Sequence, residues 1–110
     1  MGLLDLFKRP DINQGVREYS SVPGALLVDV RTPGEYREGH IPGSRNIPLQ
    51  ELGGAEFKLG PKDTPLFLYC RSGARSAQAA GALRRMGCAN ITNIRGNAAW
   101  KGTGEGKNEG

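Results

Sequence analysis

The chemistry of this sequence is concentrated between Pro65 and Met86, in the segment PLFLYCRSGARSAQAAGALRRM. An apolar run predicts a buried strand that ends at Cys70, and Ser76 to Met86 predicts a helix. The loop 71–75 and the first helical turn leave backbone N–H groups unpaired, which makes a cup for an anion. A thiol at the mouth of such a cup, beside two arginines, is stabilised as a thiolate, and such settings lower the pKa of cysteine from ~8.5 to roughly 3.5–7.5. Cys70 is therefore predicted to be a nucleophile that acts on an anionic substrate.

A second polar group lies near the end of another predicted strand. Residues 25–30 have the sequence ALLVDV, a nearly continuous apolar run that is typical of strands covered on both faces. Asp29 interrupts the run, and a carboxylate in a buried strand must find hydrogen-bond donors. We expect Asp29 to accept backbone N–H groups of the next loop or to pair with Arg31. The residues TPGE at 32–35 match a capping box, which predicts a short helix directly afterwards.

Predicted strands alternate with predicted helices along the chain. The predicted elements are strands over 25–30, 66–70 and 90–94, and helices that begin after Asp11, after Thr32 and after the Cys70 loop. This alternation is typical of an α/β domain with a mainly parallel sheet. Ligands of such sheets bind beyond the carboxyl ends of the strands, and both Cys70 and the Asp29–Arg31 pair are expected at such ends.

The composition indicates one small globular domain with an anionic ligand. The chain has 110 residues, of which 37% are hydrophobic and 24% charged, with a net charge of +4 and a pI near 9.4. Basic residues are scattered and aromatic residues are few, which favours a small anion over nucleic acid. We expect a lead-in over 1–9, a folded domain over 10–101 and a disordered Gly-, Glu- and Lys-rich tail over 102–110.

The cysteines, and the motifs that the sequence lacks, bear on the compartment of the protein and on its cofactors. Cys70 ends a strand and Cys88 lies beyond the following helix, so a disulfide between them is not expected, and two free thiols fit a reducing compartment. No stretch is long enough to span a membrane, and the cytoplasm is the expected location. There is neither a Cys/His cluster for zinc nor a Gly-rich nucleotide motif, so we expect no metal and no cofactor.

The sequence resembles the single-domain rhodaneses, a family of thiosulfate sulfurtransferase-like proteins. The resemblance covers roughly residues 10–101 and rests on motifs in matching order, namely DVR at 29–31, EY at 35–36, GHIPG at 39–43, CRSG at 70–73, RS at 75–76 and the pair Ala99-Trp100. It implies a three-layer α/β domain with a mainly parallel five-stranded sheet and helices on both faces. It also implies that Cys70 carries a persulfide, cradled by backbone amides of the loop.

The resemblance gives each residue of the loop an expected role. Cys70 would take the outer sulfur of thiosulfate or a similar donor and pass it to cyanide or to a thiol, such as thioredoxin, glutathione or a sulfur-carrier protein. The residues that would bind the anion are Arg71, Ser72, Gly73, Ala74 and Arg75, with Asp29 and Arg31 shaping the wall of the site. Arg71 either attracts the donor or is a solvated charge, and Ser72 either donates to the sulfur or caps its own loop.

Other residues have structural interpretations, and two other functions compete. His40 is expected to be structural, since the loop already supplies the thiolate, and Cys88 is expected to be a small buried hydrophobe. One competitor is a cysteine-dependent phosphatase or arsenate reductase. Its loop commonly has five residues between Cys and Arg, whereas four separate Cys70 from Arg75 here. The other is a persulfide-binding or docking module without catalysis, which the intact Cys70 argues against.

Overall fold

The computed structural model describes residues 11–102, and it has the predicted α/β architecture. In chain order the helices are α1 (Ile12–Ser21), α2 (Pro33–Glu38) and α3 (Ala74–Arg85), and the strands are β1 (Leu26–Asp29), β2 (Ser44–Asn46), β3 (Leu66–Cys70) and β4 (Ile91–Gly96). Short 3₁₀ helices cover Leu49–Gly54, Glu56–Lys58 and Asn97–Ala99. The predicted lead-in 1–9 and most of the predicted tail 102–110 lie outside the described residues, and the domain boundaries stay predictions.

The sheet has the order β2-β1-β3-β4, and all three pairings are parallel. The resemblance implied five strands, but the described residues form four, so the expected strand number is corrected to four for this part of the chain. Residues 39–43 form a loop with an isolated bridge at His40. Pro42 there has no N–H to donate to a ladder, and Gly43 has a φ of 87°, so the backbone turns instead of continuing an extended pairing.

Alternation along β3 divides the core between the two faces of the sheet. Leu66, Leu68 and Cys70 pack in the cluster under α3 and the 3₁₀ helix Leu49–Gly54, whereas Phe67 and Tyr69 pack with Ile12 of α1 on the other face. All five residues of β3 are buried, as expected for a central parallel strand. The thiol of Cys70 thus belongs to the α3 face at the carboxyl end of the strand.

Local signals in the sequence set the helix starts. The Asp11 side chain accepts from the backbone N–H of Gln14 at 2.9 Å and caps α1. Thr32 and Glu35 form the predicted capping box of α2, with Pro33 in the first turn. The helix predicted at Ser76 begins two residues earlier, at Ala74, so the first turn of α3 is part of the Cys70 loop.

Candidate active site

The loop between β3 and α3 wraps around the sulfur of Cys70. Sγ accepts a hydrogen bond from the backbone N–H of Gly73 at 2.9 Å and another from that of Ser76 at 3.4 Å. Ser76 Oγ lies 3.6 Å from the same sulfur. Cys70 is completely buried, beneath the exposed residues Arg71 and Ser72. A reaction partner therefore reaches Sγ only when the loop admits it.

Two glycines allow the backbone to approach the sulfur this closely. Gly73 precedes the first residue of α3 with a φ of 106°, a left-handed conformation that strains other residues. Gly96 ends β4 directly under the loop, and a Cβ there would clash with the carbonyl oxygen of Arg71. The loop thus depends on a strand that follows it by some twenty residues in the chain.

Hydrogen bonds determine the acidity of the thiol. Burial by itself would raise the pKa of Cys70. The Ser76 side chain and the backbone N–H groups of Ser76, Gly73 and Ser72 outweigh that effect, so the pKa lies below its ordinary value. Donors that favour the charged form stabilise the thiolate. The geometry accordingly supports a thiolate that is activated by the Ser76 side chain and by backbone amides.

Arg75 has a partner that the sequence analysis did not assign to it. Its guanidinium holds Glu35 through two bonds, Nη1 to Oε1 at 2.7 Å and Nη2 to Oε2 at 3.0 Å. Glu35 also completes the capping box of α2, and the Arg75 guanidinium lowers the pKa of Glu35 to about 2. The bidentate pair therefore braces the start of α3 against α2.

The predicted pair of Asp29 and Arg31 is present, and it is buried. Arg31 Nη2 lies 2.6 Å from Asp29 Oδ2, Arg31 Nε contacts both carboxylate oxygens at 3.0 Å, and the Arg31 backbone N–H donates to Oδ1 at 2.8 Å. The two residues are 0% and 3% exposed. Arg31 Nη2 also donates to the carbonyl of Gly39, and its guanidinium lies 5.7 Å from the ring centroid of Tyr69. The pair fixes the loop that follows β1.

Two clefts flank the Cys70 loop, and both include Arg71. One, of about 260 Å³, is lined by Arg31, Glu35, Glu38, Gly39, Arg71 and Asn97. The other, of about 240 Å³, is lined on its polar side by Asp11, Arg71, Ser72 and Arg95. Arg71 is exposed between them, at the mouth of the site. The structure thus brings Arg31 and Arg71 to one cleft, whereas Asp29 lies behind Arg31 in the interior.

Other candidate residues lie away from the sulfur. His40 stacks on Tyr36 with ring centroids 3.6 Å apart, and its Nδ1 is 2.8 Å from the Tyr36 carbonyl oxygen. Cys88 is buried in the cluster under α3, and both cysteines are free thiols. Within residues 11–102 no group of His, Cys, Asp and Glu side chains is arranged to hold a metal ion. No helix in this part of the chain has the length and apolar character that crossing a membrane requires.

Sequence reasoning missed two residues of the site. Ser76 was assigned to the helix start, and its hydroxyl oxygen does lie 3.1 Å from the Gly73 carbonyl oxygen, but it also contacts Cys70. Asn93 of β4 received no role, yet its Oδ1 lies 2.7 Å from Ser76 Oγ. No local pattern in the sequence indicates these contacts, since the fold places Ser76 beside the sulfur and Asn93 beside Ser76.

Comparison with known proteins decides the family. The model of the Rhodanese-like domain matches residues 13–103. The chain belongs to the rhodanese-like domain family. Its fold is also that of a rhodanese-like domain of the Anabaena protein Alr3790, solved by NMR. The TM-score is 0.79 at 26% identity, over 92% of this chain and 80% of the other.

Relatives of this rhodanese-like domain include named sulfurtransferases. The chain is 42% identical over 76 residues to a sulfurtransferase of Allochromatium vinosum, covering 68% of this chain and 70% of that protein. It is 36% identical over 70 residues to the thiosulfate sulfurtransferase PspE of Escherichia coli, and the match covers 63% of this chain and 67% of PspE. It is 46% identical over 72 residues to the Bacillus subtilis protein YqhL. That match covers 66% of this chain but only 56% of YqhL.

Proposed function

We propose that this rhodanese-like domain is a sulfurtransferase that carries sulfur as a persulfide on Cys70. The Cys70 thiolate attacks the outer sulfur of thiosulfate, the S–S bond of the donor breaks, and sulfite leaves with the electron pair. The persulfide anion then gives its outer sulfur to cyanide as thiocyanate, or to a thiolate as a new persulfide, and the Cys70 thiolate returns. Two displacements through one covalent intermediate predict ping-pong kinetics.

The observation that carries the proposal is the set of backbone donors around a buried sulfur. Sγ receives the N–H groups of Gly73 and Ser76, and the ring of His40, the one histidine of the sequence, stacks on Tyr36. In the persulfide the charge moves to the outer sulfur, and amides of the loop 71–75 are preorganised donors for it. Because only four residues separate Cys70 from Arg75 and Cys70 is buried, a single bound sulfur atom suits the loop better than a phosphoryl group.

The remaining residues support the same proposal. Arg71, exposed at the mouth between two clefts, attracts the dianionic donor, and Ser72 contributes its backbone N–H. Ala74 begins α3, and Arg75 closes the loop through Glu35. Asp29 and Arg31 hold the wall of the cleft. The acceptor is proposed to be a thiol of a small molecule or of a carrier protein, in the reducing cytoplasm.

A comparison of two reactions tests the proposal. Purified protein is incubated with thiosulfate and cyanide while thiocyanate is measured, and in parallel with a chromogenic phosphate ester. We expect cyanide-dependent thiocyanate with ping-pong kinetics and no release of phosphate, because four residues between Cys70 and Arg75 leave little room for a phosphoryl group. Hydrolysis of the ester without thiocyanate would instead favour a phosphatase. If neither thiocyanate nor phosphate is produced, the result would favour a docking module without catalysis.

A further inference from the structure

Asn93 lies at a break in the register between β3 and β4. Leu68 pairs with Asn93 and Tyr69 pairs with Arg95, so Ile94 is an extra residue on β4, and Arg95 has a φ of 79°. The Asn93 side chain caps this bulge, since its Oδ1 accepts from the Arg95 backbone N–H at 2.9 Å. A backbone N–H can only donate, so the atom that faces it must be the oxygen of the Asn93 amide.

That assignment fixes the direction of the next hydrogen bond. Ser76 Oγ lies 2.7 Å from the same Asn93 oxygen, which has no hydrogen, so the Ser76 hydroxyl is the donor. A serine has one hydroxyl hydrogen, and two oxygens that can only accept lie near Ser76 Oγ, the Asn93 oxygen at 2.7 Å and the Gly73 carbonyl oxygen at 3.1 Å. The shorter distance directs the hydrogen to Asn93. Ser76 Oγ then presents lone pairs to Cys70 Sγ at 3.6 Å, and the neutral thiol donates to it.

When Cys70 ionises, its sulfur changes from a hydrogen-bond donor to a hydrogen-bond acceptor. A thiolate has no hydrogen to donate, and it repels an oxygen that presents lone pairs to it. The Ser76 hydroxyl can turn and donate to the thiolate, but it then gives up the short bond to Asn93. The sulfur and the Asn93 oxygen therefore compete for one hydrogen, whereas the backbone N–H groups of Gly73 and Ser76 stay on the sulfur.

We propose that Asn93 is a positioning residue that controls the reactivity of Cys70 by competing with the thiolate for the hydroxyl hydrogen of Ser76. Asn93 does not itself contact the sulfur in this arrangement; it acts through Ser76. A thiolate that receives fewer donors is more basic, and a more basic thiolate is intrinsically a stronger nucleophile. The proposal rests on Cys70 being the nucleophile of the proposed function, and it adds the group that keeps its thiolate reactive.

Charged groups also lie around the site, and of these Arg75 interacts electrostatically with Cys70. The groups on the packed elements are Arg71 of the loop, Arg75 of α3 with its partner Glu35 of α2, Asp29 at the end of β1, Arg31 after it, and Arg95 of β4. Substitution of Asn93 removes the acceptor of the Arg95 backbone N–H, so a shift caused by Arg95 appears with and without Ser76. Only the difference between the two Ser76 backgrounds therefore reports on the hydrogen bonds of the hydroxyl.

The test is the pH dependence of alkylation of Cys70 by iodoacetamide, measured in a Cys88→Ala background so that one thiol reacts. We expect Ser76→Ala to raise the midpoint of the profile, because a donor to the thiolate is lost. Asn93→Ala should lower it by about 0.5–1 pH unit, which corresponds to the net effect of one hydrogen bond. In the Ser76→Ala background, Asn93→Ala should leave the midpoint unchanged. An equal shift in both backgrounds, or none in either, would overturn the proposal.

A second substitution keeps the test decisive if Asn93→Ala does not fold. Asn93→Asp retains the acceptor for Arg95 and Ser76 and binds the hydroxyl hydrogen more strongly. Its midpoint should rise more with Ser76 present than in the Ser76→Ala background, where only the added charge acts. The same rise in both backgrounds contradicts the proposal.

A matched control uses another asparagine of the same region. Asn90 precedes β4, is exposed, and donates to the carbonyl of Asp63, so Asn90→Ala should leave the midpoint of Cys70 unchanged. Alkylation needs no sulfur donor. Failure of the thiosulfate assay would therefore refute the proposed function without affecting this result, and a wrong midpoint would refute the role of Asn93 without affecting sulfur transfer.

Discussion

Cys70→Ser is expected to lose thiocyanate formation from thiosulfate and cyanide by a factor on the order of 10⁴ or more, as the loss of a covalent nucleophile does elsewhere. The loop would still bind the donor, since its backbone amides are unchanged. A serine hydroxyl at this position is not ionised near neutral pH, however, and it cannot form a persulfide. The measurement is the initial rate of thiocyanate formation at saturating thiosulfate.

Cys88 provides the matched control for this substitution. Cys88 is also buried on the α3 face, but it packs in the core and no hydrogen bond of its thiol is recorded among the described residues. Cys88→Ala should keep the rate of the unsubstituted protein. If Cys70→Ser kept its activity and Cys88→Ala lost it, the nucleophile would be Cys88.

Arg31→Leu is expected to lower the free energy of unfolding by about 3–5 kcal/mol, because it leaves a buried carboxylate without its charge partner. Asp29 is 0% exposed and receives three side-chain hydrogen-bond contacts from Arg31. The backbone N–H of residue 31 remains as a donor, but one amide does not replace a guanidinium. Urea unfolding followed by circular dichroism measures the loss.

Two further variants show whether the loss of stability comes from the unpaired buried charge of Asp29. Asp29→Asn combined with Arg31→Leu should recover part of the stability, since no ion is then buried. Lys62→Ala breaks the exposed pair with Glu56, whose side chains are 52% and 60% exposed, and should change the free energy by at most about 1 kcal/mol. Equal effects of Arg31→Leu and Lys62→Ala would mean that burial of the first pair contributes nothing.

Local chemistry explains why part of this site is predictable from the sequence. The apolar run before Cys70 and the glycine after it predict a strand and a tight loop, and both exist. Asp29 in an apolar run predicts a partner close by, because an unpaired carboxylate is costly there, and Arg31 two residues later is that partner. Each inference uses neighbours within a few residues, for which backbone geometry fixes the outcome.

Contacts between distant segments were not predictable in the same way. Glu35 and Arg75 are 40 residues apart, and nothing in either segment indicates the other. The bulge that turns Asn93 toward Ser76 arises from the pairing of β4 with β3, and a sequence pattern does not record one extra residue in a strand.

The most direct test of the central claim is the intact mass of the protein after incubation with thiosulfate. We expect the protein to gain about 32 Da, the mass of one sulfur atom held as a persulfide. Addition of cyanide should remove that mass and release thiocyanate, Cys88→Ala should behave in the same way, and Cys70→Ser should gain nothing. A gain of one sulfur by Cys70→Ser, or no gain by the unsubstituted protein while thiocyanate is produced, would contradict transfer through Cys70.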